Sequence, residues 1–387
     1  MSRENRLKVV QQIQEMRESR VLTYFTGDRR GPISSNIAED AVRYLYEHLL
    51  TMSNADKAST SIDLILYSRG GDVSVPWRIV SMIREFCGDF RVLIPYKAHS
   101  AATMVALGAD SIVMGKKAEL SPIDPTLTRA TAPGSGIPPQ EISVEDVTAY
   151  ISFMRDRANI NDQDALAQLI SQLAEHLTPL AIGSVNRQYS HIRIVARKLL
   201  GSRAEKMEEE KVNAITETLT EKIYSHGHAI GRVEAVELGL PVAEENLKLE
   251  ELLWKLYLDY EKELMLDDPL DPLKVLIDSG QDLVLMKDVP LAMIESTERC
   301  HVFYIDIDFR NRRDIPANPQ INININAALP PSVDPATLGP GAQQIIQQML
   351  GQMMPLVSKQ VQEELARQSP VVGCEVRSFG GRWVSVV

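Results

Sequence analysis

A β-prone run that halts at two glycines and passes at once into helical spacing sets the architecture of this chain. Ile62 to Tyr67 is apolar and β-prone and stops short of Gly70-Gly71; Val75, Ile79, Met82, Ile83 and Phe86 then recur at helical intervals. The next unit repeats the design, with Arg91 to Pro95 as an apolar strand and the Ala-rich Ser100 to Gly108 as a buried helix that starts at Ser100. Val21 to Thr26 reads as an earlier strand, and Asn36 with Glu39 as the N-cap of a helix running to about Leu50. Through Met114 this order predicts an α/β core of mainly parallel strands. Two of its turns carry chemistry. A strand that ends in Gly-Gly and opens a helix leaves backbone N–H groups free to face an anion. A hydroxyl at the start of the next helix either caps it or acts as a nucleophile with the N–H of Ala101 beside it.

Three motifs follow one another here: Ser68-Arg69-Gly70-Gly71-Asp72, His99-Ser100-Ala101-Ala102-Thr103-Met104 and Ser121-Pro122-Ile123-Asp124-Pro125. Together they resemble the Clp-type and signal-peptide-peptidase-type serine peptidases, whose fold is shared with the crotonases, and most closely the cytosolic serine dehydrogenase proteinase family. The resemblance covers roughly residues 20 to 245. It implies an α/β spiral of β-β-α units, with Ser100 matching the nucleophile and Gly71 and Ala101 matching the two backbone donors of an oxyanion hole. It also implies a homo-oligomer in a ring or stack, a cytoplasmic location, and peptides or unfolded protein as substrate.

The general base is where the chain departs from the pattern. Clp-type enzymes carry a histidine in the segment that matches Pro122 to Pro125, where this chain has Asp124 and no histidine. Signal-peptide-peptidase-type enzymes use a later lysine, and Thr126 to Ser143 contains none. His99, Lys97, His191 and Lys198 remain as base candidates, with Asp124 as an orienting or proton-handling carboxylate. Side chains next to each other on a strand diverge, so His99 reaches Ser100 only if the chain turns between them. Arg187 can hold a substrate carboxylate, but a guanidinium does not act as a base near pH 7.

With 387 residues the chain exceeds what one core usually fills. We expect an N-terminal amphipathic helix over 1–20, a peptidase-like domain over 21–245 (core 21–130, helical region 143–223), a helix-and-strand extension over 246–310, and a tail over 311–387 that serves assembly or a partner. Breaks in the helical region are expected near Asn159 to Asp162, at Pro179 and at Gly201-Ser202. Leu249, Leu252, Leu253, Leu256 and Tyr260 form an apolar stripe suited to a core or a subunit interface. Residues 267–300 read as irregular, 301–309 as a strand, Ile321 to Asn326 as a period-2 edge strand, and Val371 to Val387 as a hairpin across Gly380-Gly381. With the helix-like Gln343 to Gln368, the last three place an α+β appendage at the C-terminus.

A net charge of -11 argues against nucleic acid or an anionic membrane as partner. No stretch reaches the roughly 20 apolar residues of a membrane span. The three cysteines are far apart and suggest neither a disulfide framework nor a metal cluster. No metal or other cofactor is expected, since the histidines at 226 and 228 lack completing ligands. Three functions compete at this stage: a serine hydrolase of peptidase type, a catalytically degenerate oligomeric scaffold, and a crotonase-type enzyme that stabilises an acyl-CoA enolate in the same pocket.

Overall fold

The computed structural model describes residues 3–52, 56–123, 126–129, 140–143, 150–176, 179–222, 227–314 and 369–386, with scattered positions between 339 and 368. The chain divides into two compact units, one of residues 1–269, 288–305 and 380–387, the other of 270–287 and 306–379.

The first unit is a mixed α/β structure around a central sheet. In chain order its elements are α1 (Arg3–Arg17), β1 (Arg20–Thr26), α2 (Asp40–Met52), β2 (Ser61–Tyr67), α3 (Val75–Arg84), β3 (Asp89–Ile94), β4 (Lys97–Ala98), α4 (Ala101–Leu107), β5 (Ser111–Met114) and β6 (Glu119–Leu120). After them come a short pair, β7 (Thr126–Arg129) and β8 (Gln140–Ser143), several helices, and β9 (Ile230–Gly231). The sheet is completed by residues of β10 (Leu283–Glu295), β11 (Cys300–Arg313) and β12 (Val371–Ser385), in the order β12-β11-β10-β1-β2-β3-β5. β1, β2, β3 and β5 run parallel, and β10 joins β1 antiparallel.

Successive side chains of a strand leave on opposite faces. Here Leu22, Tyr24, Leu64, Leu66, Val92 and Ile94 enter one apolar layer with α2, α3 and α4, while Val21, Phe25, Ile65, Tyr67 and Leu93 enter another. A sheet covered on both sides needs no polar alternation, which is why these strands read as continuous apolar runs. The second layer is completed by α1, through Val9, Val10 and Ile13, and by the helix Leu247–Glu263, through Leu249, Leu253, Leu256, Tyr257 and Tyr260. Of the two uses expected for the stripe on that helix, core or subunit interface, it serves the chain's own core. Phe25 stacks on Tyr260 with centroids 4.0 Å apart, and Tyr257 stacks on Trp254 at 5.0 Å. Buried Glu295 takes Arg6 Nε at 2.8 Å and the Tyr260 hydroxyl at 2.7 Å, which ties α1 and that helix to β10.

The described helices here are Gln163–His176, Pro179–Gly201 and Glu209–Glu217; the chain breaks near Asn159, which has φ 58°, and after Gly201 as the sequence predicts, while the expected break before Pro179 falls on residues outside those described. Three local expectations are corrected. Helix α2 starts at Asp40, with Glu39 rather than Asn36 before it, because Ile37 pairs with Gly71. The stretch 267–300 holds the helix Pro272–Ser279 and all of β10. Val371–Ser385 is one continuous strand, not a hairpin.

In the second unit, Asp271 caps the helix Pro272–Ser279 by accepting from the N–H groups of Leu273 and Lys274, and Gly280 closes it at φ 63°. Asp282 accepts from Asn311 at 2.9 Å and from Arg313 at 2.5 Å. The period-2 run Ile321 to Asn326 lies outside the described residues. No helix among the described residues is long and apolar enough to cross a membrane.

Candidate active site

Ser100 sits where the chain changes direction. The backbone of Ser68 pairs across to β4, donating to Lys97 O at 3.0 Å and accepting from His99 N–H at 2.9 Å. The next residue turns: Ser100 has φ 51° and ψ -116°, and Ala102 N–H returns to His99 O at 2.9 Å. Those angles are those of the first central residue of a type II′ turn, a position glycine normally fills. A side chain held there costs on the order of 1–3 kcal/mol, and such strain gathers at functional sites. The Ser100 side chain makes no capping hydrogen bond, so the cap reading of this serine does not hold.

The two glycines are required by close approach. Gly70, at φ 114°, lies against the serine, and a Cβ on it would fall 2.7 Å from Ser100 Cβ and 3.2 Å from Ser100 Oγ. Gly71, at φ 147°, has Ile37 O where a Cβ would stand, 2.2 Å away. Ile37 takes up the neighbouring groups, donating to Gly70 O at 2.7 Å and accepting from Asp72 N–H at 2.9 Å. The N–H groups of Gly71 and Ala101 have no acceptor among the described residues. Thus the glycine loop is packed on the serine, and each of the two segments carries one uncommitted backbone donor.

The chain turns between His99 and Ser100, and the described contact of the His99 ring is with β6. The ring's Nε2 lies 3.1 Å from Glu119 Oε1, a carboxylate on β6, which pairs with β4. Lys97 is held elsewhere. Its Nζ donates to Asp28 Oδ2 at 3.3 Å and lies 4.6 Å from the Tyr96 ring centroid. Asp28 also accepts from the Tyr67 hydroxyl and lies 3.6 Å from Arg69 Nε. Burial first, and then the Asp28 carboxylate, raise the Tyr67 phenol far above its ordinary pKa, so it is a neutral donor. Lys198 lies over the Trp77 ring of α3 at 5.7 Å, and His191 and Arg187 are exposed on the same helix, Pro179–Gly201. Asp124 lies outside the described residues. Ser100 Oγ has no hydrogen-bond partner among the described residues.

Sequence reading missed Ser121, Thr103, Glu119 and Asp28. From the third motif it is Ser121 that meets the turn, accepting the Ser100 N–H at 2.8 Å. Ser121 and Thr103 stand inside quoted motifs, yet a hydroxyl there gives no sign of its partner until β6 is placed beside β4. His228 pairs with Glu234 at 2.9 Å, and no cluster among the described residues has the ligands for a metal ion.

Comparison with known proteins adds the following. The family model described as ClpP-like SDH-type serine proteinase matches residues 1–170, which contain all three motifs. An uncharacterized protein of Methanocaldococcus jannaschii is 28% identical over 243 residues, covering 61% of this chain and 73% of that protein. A second uncharacterized protein of the same organism is 32% identical over 81 residues, 21% of this chain and 28% of the other. Among solved structures, ClpP1 from Listeria monocytogenes aligns with 61% of this chain and 98% of its own at 13% identity, with a TM-score of 0.31.

Proposed function

We propose that this chain, whose first 170 residues match the ClpP-like SDH-type serine proteinases, is a serine hydrolase of peptidase type with Ser100 as its nucleophile. The observation that carries the reading is Ser100 at φ 51°, beside two backbone N–H groups, those of Gly71 and Ala101, that nothing described uses. In this proposal Ser100 Oγ attacks a peptide carbonyl, its proton passes to a base, and the oxyanion rests against Gly71 and Ala101. The oxyanion then collapses and breaks the C–N bond, and the amine leaves with the proton that the base had taken; water, deprotonated by the same base, attacks the acyl-enzyme, and the acid departs as the proton returns to Ser100 Oγ. His99 is the proton acceptor that best fits, since it stands at the same turn and Glu119 stabilises its imidazolium. Lys97 is the weaker candidate, because its side chain is directed to the Asp28 carboxylate. Asp124, His191 and Lys198 keep their place as candidates to be tested by substitution.

The finer architecture that accompanies this reading is a Clp- and crotonase-type spiral over residues 21–245, with 246–310 and 311–387 as later additions. The same reading makes the protein a cytoplasmic homo-oligomer acting on peptides or unfolded chains, with the tail serving assembly or a partner.

Fluorophosphonate labelling of the full chain against Ser100→Ala, located by intact mass, tests it. A single adduct that depends on Ser100 is expected. A second reading, a degenerate scaffold, is favoured by the contacts of Lys97 with Asp28 and of His99 with Glu119 and by a Ser100 Oγ that has no partner among the described residues. Absence of any adduct from the assembled protein decides for it and against the hydrolase.

A further inference from the structure

Ser121 is buried, with 2% of its surface exposed, and its hydrogen bonds leave no freedom in how its hydroxyl points. The Ser100 N–H donates to Ser121 Oγ at 2.8 Å, so that oxygen must send its own proton elsewhere, and Pro122 O receives it at 2.9 Å. The Ser121 N–H donates to Thr103 Oγ1 at 3.1 Å, and the Thr103 hydroxyl, itself fully buried, donates to Ala98 O at 2.7 Å. Every donor in this set therefore has one direction, and the set joins β4, the serine turn, α4 and the end of β6.

We propose that Ser121 is a positioning residue that holds Ser100 in its left-handed conformation by binding its amide. The inference rests on the reading of Ser100 as nucleophile. A serine at φ 51° gains from rotating its amide toward an ordinary negative φ, and that rotation would carry Cβ and Oγ away from their seat on Gly70. The bond to Ser121 opposes it, because rotation would break that bond and leave the partly buried Ser100 N–H and the buried Ser121 hydroxyl without each other. The same bond withdraws the Ser100 N–H from any anion at the turn. Gly71 and Ala101 are left as the donors, so Ser121 also selects which amides form the oxyanion site.

The experiment uses the full chain carrying Ser121→Ala, Ser121→Cys or Thr103→Val. For each, the fluorophosphonate reaction is resolved into KI and kinact, the exchange of the Ser100 amide with deuterium is followed, and the urea midpoint is measured. Both Ser121→Ala and Thr103→Val are expected to lower the midpoint, since each removes a buried hydroxyl. Only Ser121→Ala is expected to expose the Ser100 amide to exchange and to lower kinact roughly tenfold with KI changed less than about twofold. Ser121→Cys keeps a weak acceptor in place and gives intermediate protection and rate, which serves if the alanine variant does not fold. Retained Ser100 protection in the Ser121 variants overturns the proposal. So does a Thr103→Val protein that matches them in both exchange and kinact, which reduces the effect to packing. If wild type takes no adduct, the hydrolase reading fails, and the exchange comparison still decides what Ser121 does.

Discussion

Acidification should destabilise this protein through one buried pair of histidines, and the size of the effect follows from their surroundings. His48 of α2 and His301 of β11 are both buried. His48 Nδ1 bonds Ser296 Oγ at 2.8 Å, and its Nε2 bonds His301 Nδ1 at 3.0 Å. Glu47 lies 3.6 Å from His301 Nε2, while Arg299 and Arg3 add positive charge. Burial, then His301 and the two arginines, push the His48 pKa down to about 3, and burial also lowers that of His301. A folded-state pKa below the unfolded value of about 6.5 means that the unfolded chain takes up the proton first. The stability due to the neutral pair is present above about pH 6.5 and is lost as the pH falls toward the folded value. At about pH 5, His48 alone should cost about 2 kcal/mol relative to pH 8, with His301 adding in the same direction. With a urea slope near 3 kcal/mol/M, the midpoint falls by roughly 0.7 M. Asp110, whose pKa is lowered by its bonds to Arg84 and to the amides of Phe90 and Ala204 despite its burial, loses its contribution only below its ordinary range of about 4, outside this window. The assay is urea unfolding by circular dichroism from pH 8 to 5, on wild type and His48→Gln. The variant should be less stable at pH 8 but lose less on acidification. Equal losses in the two proteins, or a wild-type midpoint that rises as the pH falls, would refute the reasoning.

Two further expectations concern backbone space and thiols. Gly71→Ala puts a Cβ onto Ile37 O at a φ of 147°, so Ser100 labelling should fall at least tenfold even if the variant folds; labelling at the wild-type rate would remove Gly71 from the site. Burial raises the thiols of Cys87 and Cys300 to about 12, while Cys374 is partly exposed. Ellman's reagent at pH 8 should therefore titrate one thiol quickly in the native protein and three in guanidinium, with Cys374→Ser abolishing the fast phase; two fast native thiols would contradict the burial of the others.

What could be read from the sequence follows the range of the interactions involved. The helix Leu247–Glu263 was legible because its apolar spacing is a local property, and the strands because burial on both faces writes continuous apolar runs. Asp271-Pro272 and Gly280 are a complete start and stop for a helix, but the surrounding prolines and aspartates masked them as irregular chain. Gly380-Gly381 looked like a hairpin tip; a Cβ on Gly381 would meet the Phe303 ring at 2.9 Å, so this glycine serves a close packing contact within a continuous strand. Asn36 failed as a cap because pairing of Ile37 with Gly71, distant in sequence, outweighed the local signal.

The candidate site divides along the same line. Ser100, Ala101, Gly70 and Gly71 could be named as candidates because the role proposed for each depends on its own backbone conformation, which a short motif encodes. A base acts through where its side chain ends, and that is set by partners far along the chain. Lys97 stands three residues before Ser100, yet its ammonium group goes to Asp28, 69 residues upstream. Glu119 reaches His99 only because β6 lies beside β4. Both ion pairs can be tested as obstacles. If Asp28 is what withholds Lys97, then Asp28→Asn frees the amine, and Ser100 labelling should gain a rise with pH that Lys97→Met removes. If His99 is the base, the pH profile of Asp28→Asn stays that of wild type, and Glu119→Gln shifts its midpoint downward, because a neutral partner no longer favours the imidazolium.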